Sequence, residues 1–92
     1  MRSVDRIALF RALHTALEGG RVLHGEADGH PLTAGRVAVP GGEARWSLLI
    51  WPRAGEGRGG GPEEDDCGSV PALARAWVAM VGARRAAEGL GL

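Results

Sequence analysis

The stretch "GRVAVPGGEARWSLLIWP", Gly35 to Pro52, most restricts what this chain can become. Two runs of strand-forming residues flank a Pro-Gly-Gly breaker, the pattern of an antiparallel hairpin. With Gly41-Gly42 as a two-residue turn, Val39 faces Ala44, Ala38 faces Arg45, Val37 faces Trp46 and Arg36 faces Ser47. One face then carries Val37, Val39, Ala44, Trp46, Leu48 and Ile50. The strand period of two puts Leu49 and Trp51 on the other, otherwise polar face. A strand apolar on both sides needs cover on both, from its own chain or from a second molecule.

The flanking segments supply the rest of the architecture. Ser3 to Glu18 reads as a helix, with Ser3 as cap, Asp5 in the first turn and Gly19-Gly20 as terminator. Ile7, Phe10, Leu13 and Leu17 share one arc, which is expected to pack on a sheet. Arg21 to Glu26 reads as a first strand, and Asp28-Gly29 as a two-residue type I′ turn with Pro31 just beyond it. Residues 52–68, "PRAGEGRGGGPEEDDCG", offer little to bury and are expected to form a flexible loop. Ser69 to Glu88 reads as one C-terminal helix, capped by Ser69 with Pro71 in its first turn. It bears two stripes, Leu73, Ala76, Met80, Ala83, Ala87 and Leu90 beside Val70, Ala74, Trp77 and Val81. The expected fold is a single α+β domain over residues 1–92. It consists of a helix, a three-stranded antiparallel meander, a long Gly/acidic loop and a C-terminal helix, with both helices on one sheet face.

Composition removes several function classes. Eleven basic residues balance eleven acidic ones, so no global field steers the chain toward nucleic acid or an anionic membrane. All the basic residues are arginine, as codon usage in a GC-rich genome favours, so arginine content alone does not point to anion binding. No apolar run is long enough to span a bilayer, and the single cysteine, Cys67, excludes an internal disulfide. A reduced, cytoplasmic setting is the expectation. A domain of 92 residues buries a modest fraction of its surface, so a partner such as a second copy would add stability.

Individual motifs give weak chemical signals. "GEGRGG", Gly55 to Gly60, matches G-x-G-x-x-G after a strand, but Pro62 and the run Glu63 to Asp66 follow it instead of a helix N-terminus. No cofactor and no nucleotide are expected. In "HGEADGH", residues His24, Glu26, Asp28 and His30 alternate and would share one side of a continuous strand, a weak metal alternative. A turn at Asp28-Gly29 moves His30 off that face, so no metal is expected. "EEDD" lacks the glycine and terminal glutamate of a calcium loop and reads as a solvated charge run. Cys67 beside Asp65 and Asp66 is a poor thiolate, and His14 reads as a boundary residue of helix 1. No catalytic constellation stands out, and enzymatic activity is not expected.

The helix–three strands–helix order resembles, in outline, the double-stranded-RNA-binding domain. "DGHP" stands where that family places a loop in the RNA minor groove, and "GEGRGGG" where its third strand gives way to helix 2. The resemblance implies phosphate contact at the start of helix 2, where "GSVPALAR" supplies only Arg75 after an acidic run. The order is also similar to that of a family of small dimeric bacterial nucleoid proteins, whose first helix is longer. Neither resemblance assigns the chain to a family. The first functional expectation is a non-enzymatic protein–protein interaction or regulatory module. It would form a homodimer or bind a protein partner through Leu49, Trp51, Leu73, Ala76, Met80, Ala83 and Ala87. The alternative is nucleic-acid binding through Arg75, Arg84 and Arg85, with Arg36 and Arg45 contributing if they share a face.

Overall fold

The computed structural model describes residues 4–38, 41–55 and 60–92. Helix α1 spans Arg6–Glu18 and is N-capped by Asp5. The Asp5 Oδ1 accepts from the backbone N–H of Ile7 at 3.0 Å and from that of Ala8 at 3.2 Å. The expected cap, Ser3, lies outside the described residues. Leu9, Leu13 and Leu17 form the buried ridge of α1, whereas Ile7 is exposed and Phe10 half-buried. The expected arc is therefore rotated: spacing four along the leucines faces the core. Reverse bonds from the N–H groups of Gly20 to the Leu17 carbonyl and of Arg21 to the Ala16 carbonyl end the helix.

Strands β1 (Leu23–Ala27) and β2 (His30–Ala38) meet through a two-residue turn, with Ala27 opposite His30. Asp28 and Gly29 have φ of 50° and 80°. Two consecutive positive φ values are the left-handed pair of a type I′ turn. Pro31 sits one residue into β2, where its carbonyl accepts from Trp51 N–H at 2.9 Å.

Strand β3 (Ala44–Ile50) pairs with β2 one residue away from the expected register. Ala38 is opposite Ala44, Val37 opposite Arg45, Arg36 opposite Trp46 and Gly35 opposite Ser47, so the connection takes residues 39–43 instead of closing at Gly41-Gly42. Val37 consequently lies on the face away from the helices, and Val39 is outside the described residues. The hydrophobic pattern of the whole of β2 decides the register. Leu32 and Ala34, both buried, must lie beside Ile50 and Leu48, and a longer loop meets that demand where a tight turn would not.

The acidic run expected to be part of a flexible loop forms a fourth strand, β4 (Glu63–Asp66), antiparallel to β3. Its residues bury little, but β3 gains a backbone partner and β4 becomes an edge coated in carboxylates. The sheet order is β1-β2-β3-β4, one strand more than the expected meander. The expected C-terminal helix is also two helices, α2 (Val70–Val81) and α3 (Ala83–Gly89). Ser69 caps α2 through its hydroxyl, which accepts from Ala72 N–H at 3.3 Å. Gly82 breaks the run with φ 87° and ψ 150°. That conformation is essentially restricted to glycine, because a Cβ would clash there.

The helices cover the face of the sheet that carries Leu23, Leu32, Ala34 and Leu48. Helix α2 lies directly on β1, β2 and β3 with Val70, Ala74, Trp77 and Val81 inward, while α1 packs against α2 and α3. Leu9, Leu13, Leu17, Leu32, Leu48 and Leu73 are fully buried. Each contributes about 1.5–3 kcal/mol by leaving water. The opposite sheet face carries Thr33, Val37, Ser47 and Leu49.

Candidate functional site

A groove of about 600 Å³ runs between β1 and the C-terminal helices. Its strand wall is Leu23 to Glu26, and its helical wall is built by Trp77, Val81, Ala86 and Leu90. Gly25 makes the close approach possible: a Cβ there would lie 2.9 Å from Trp77 Cη2 and 3.2 Å from Val81 Cγ1. The break at Gly82 redirects α3, and Arg21 ties the end of α3 to the start of β1 by donating to the Gly89 carbonyl at 3.0 Å. Arg21 and Arg85 thus line the groove, as does Glu26 toward the end of β1, and Asp28 lies beyond the strand in the turn.

The backbone of β1 adds directional chemistry. In a two-residue hairpin the flanking pair, here Ala27 and His30, exchanges both hydrogen bonds, and bonding alternates from there. Gly25 and Leu23 therefore bond to β2, whereas the N–H and C=O groups of His24 and Glu26 point away from it. β1 is the end strand of the sheet, and no backbone partner meets His24 or Glu26 on that side among the described residues. An unpaired strand edge beside an apolar groove is the geometry in which one more strand can be added.

The other edge is closed by side chains. Glu64 accepts from Arg45 Nη2 at 2.7 Å through Oε1 and from the Ser47 hydroxyl at 2.8 Å through Oε2. Arg45 Nε also lies 3.7 Å from Asp66 Oδ2. Ser47 is the fully buried polar residue beneath this cluster. The sequence offered the charge of "EEDD" but no signal that it would pair in register with β3.

The residues singled out from sequence are dispersed. Leu73 and Ala87 are buried inside the chain and Leu49 is buried on the outer sheet face, so these three present no free surface. Ala76 and Ala83 are half-buried, and Met80 and Trp51 are exposed at 37% and 38%. Trp51 stands on the outer face, where its indole N–H donates to Thr33 Oγ1 at 3.0 Å, one strand across from Leu49. It is separated by the sheet from the helical residues expected to join it. Of Arg75, Arg84 and Arg85, only Arg85 lines the groove, and Arg84 is paired with Glu88 at 3.4 Å. Arg36 and Arg45 lie on opposite sheet faces, since each alternates with the other across β2 and β3.

His24 and Glu26 share the outer face, but His30 belongs to the opposite parity and its Nδ1–H donates to the Trp51 carbonyl at 2.9 Å. Among the described residues no three histidine, cysteine or carboxylate side chains gather in a metal-binding group. Cys67 is half-buried, with Sγ 3.5 Å from the Asp65 carbonyl. Burial pushes its thiol above the ordinary value of 9.0, reinforced by the charges of Asp65 and Asp66 against a lowering from a backbone hydrogen bond at Leu48. Part of "GEGRGG", residues 56–59, lies outside the described residues. No helix among the described residues is long and apolar enough to cross a membrane.

No family model matches the chain, and neither a curated protein nor a solved structure matches it.

Proposed function

We propose that this chain is a small protein–protein interaction module that receives an extended protein segment alongside β1, with its side chains entering the groove under Trp77, Val81 and Leu90. The observation that supports this reading is the conjunction at one place of two things: outward backbone groups at His24 and Glu26, and an adjoining cleft with an apolar helical wall of Trp77, Val81, Ala86 and Leu90 and charged residues at its margin. Backbone pairing supplies affinity without regard to sequence, and alternate side chains in the groove supply selection.

The test is selection of random-sequence peptides displayed on phage, followed by mapping of their binding on the isotope-labelled protein. Selected peptides are expected to shift the amide resonances of Leu23 to Ala27 together with Val81 and Arg85. Glu26→Pro, which replaces an outward N–H without removing a bond to β2, is expected to weaken them at least tenfold. Shifts confined to the outer face around Trp51 and Leu49 would overturn the reading.

A further inference from the structure

Resting on that reading, we propose that the segment received by β1 is the β1 strand of a second copy, antiparallel and centred on Gly25, so that two sheets join into one of eight strands. The geometry of the edge restricts how two copies can meet. Only residues with outward backbone groups can form hydrogen-bonded pairs, so His24 and Glu26 must oppose outward residues of the other strand. Three registers satisfy this. Placing His24 opposite its own copy leaves Glu26 against Val22, and placing Glu26 opposite its own copy sets two carboxylates side by side. Centring on Gly25 puts His24 opposite Glu26 twice, with four backbone hydrogen bonds and an imidazole beside a carboxylate on the outer face, where the ring N–H can donate to the carboxylate oxygens.

The same register matches the rest of the groove. Antiparallel pairing sets the end of β1 that holds Glu26, with the Asp28-Gly29 turn after it, against the end of the other copy's β1 that follows Arg21. The cationic beginning of β1 in each copy therefore meets the anionic end of β1 in the other, a self-complementary arrangement of the kind a two-fold axis requires. Arg53 reaches the same end from beyond β3, but it donates to the Asp28 carbonyl at 2.8 Å, and the carboxylate has no hydrogen bond among the described residues. On the groove side, Leu23 and Ala27 of opposing copies face each other. At the axis two glycines meet as a non-hydrogen-bonded pair, in which Cα atoms approach to about 4.5 Å. Neither glycine has a side chain to obstruct the other, and each is already backed by its own Trp77.

The β4 edge is a poorer occupant for this site. A β1–β4 contact is head-to-tail and propagates from copy to copy into a ring or a filament, where a β1–β1 contact is satisfied by two copies. Its carboxylates are also engaged within the chain by Arg45 and Ser47.

The experiment measures mass by light scattering across a concentration series and then traps the register. Wild-type protein is expected to show twice the chain mass. In a Cys67→Ser background, an equilibrated mixture of His24→Cys and Glu26→Cys proteins is expected to form disulfide-linked dimers under a glutathione buffer. Their yield should be at least tenfold greater than from either variant alone. His24→Glu is expected to raise the dimer dissociation constant at least tenfold, and the swap His24→Glu with Glu26→His to restore it. Neither side chain is in the core, so folding does not obscure this comparison. A monomer at every concentration would overturn the second copy as occupant while leaving the peptide selection to decide the reading of the edge. A dimer indifferent to these variants, with no excess of mixed cross-link, would overturn the register and place self-association away from β1.

Discussion

The two edges of this sheet solve the same problem in opposite ways. β4 is four residues long, each an acid, and the outward display of charge opposes pairing with any other strand. Its carboxylates also serve the chain itself, since Glu64 satisfies the buried Ser47 hydroxyl and holds Arg45. β1 is longer, carries a glycine at its centre, and runs beside a cleft with apolar walls. A sheet protected at one edge and open at the other can take on one strand without polymerising. The difference therefore lies in what flanks each strand: side-chain charge that repels on one side, and a helical wall held back from the edge on the other.

The sharpest way to separate the edges is a valine introduced into each. Gly25→Val puts a branched side chain where even a Cβ lies 2.9 Å from Trp77, whose ring is buried and packed. It is expected to destabilise by about 1–3 kcal/mol, the range for overpacking a filled site. Asp65→Val, on an exposed strand, is expected to stay within about 0.5 kcal/mol. Urea unfolding of both variants checks the contrast. Equal effects at the two strands would show that Trp77 does not hold β1 as closely as its distance to Gly25 implies.

The hairpin at Asp28-Gly29 was legible because the turn chemistry is local: two consecutive residues that tolerate positive φ fix both the loop length and the pairing of Ala27 with His30. The α+β class and the capping of α2 by Ser69 were legible for the same reason. The β2–β3 register was not, because Gly41-Gly42 resembles a tight turn while Leu32 and Ala34, far from the turn, determine which face is buried. Gly82 was hidden inside an unbroken apolar periodicity, where only its backbone angles reveal the break. β4 was hidden for the reverse reason: nothing in "EEDD" asks for burial, and its place follows from what β3 lacks. The groove was illegible as a whole, since its walls come from β1, α2 and α3 and exist only once Gly25 and Gly82 are placed. Trp77 stood in the sequence as part of a stripe, with no sign that it would back a glycine on an open edge.

Within the closed edge, Glu64→Ala is the next effect in size. It leaves the buried Ser47 hydroxyl without its acceptor and frees Arg45 from its shorter ion pair. The expected loss is about 1 kcal/mol, dominated by the unsatisfied hydroxyl, since an exposed ion pair contributes little. The double variant Ser47→Ala with Glu64→Ala is expected to recover part of it, because the orphaned donor is then gone. A full additive loss in urea unfolding would show that the charge cluster, not the buried hydroxyl, secures β4 to β3.

The smallest effect concerns Cys67, which follows β4 and whose N–H donates to the Trp46 carbonyl at 3.0 Å. Its thiol is raised above 9.0 by burial and by Asp65 and Asp66, so the folded chain retains this proton at a pH where the unfolded chain has released it. Below 9.0 both states are protonated and the contribution is complete; as pH rises through the ordinary value and on to the folded one, it is lost. Wild-type protein is therefore expected to lose melting temperature between neutral pH and the alkaline range by slightly more than Cys67→Ser does. Alkylation by iodoacetamide at pH 8 should also be slower than for a fully exposed cysteine in a peptide. If the two proteins lose melting temperature in parallel, neither burial nor the acidic strand raises the thiol enough to couple it to folding. That outcome would leave β4 with two roles, blocking its own edge and holding Ser47 and Arg45 through Glu64.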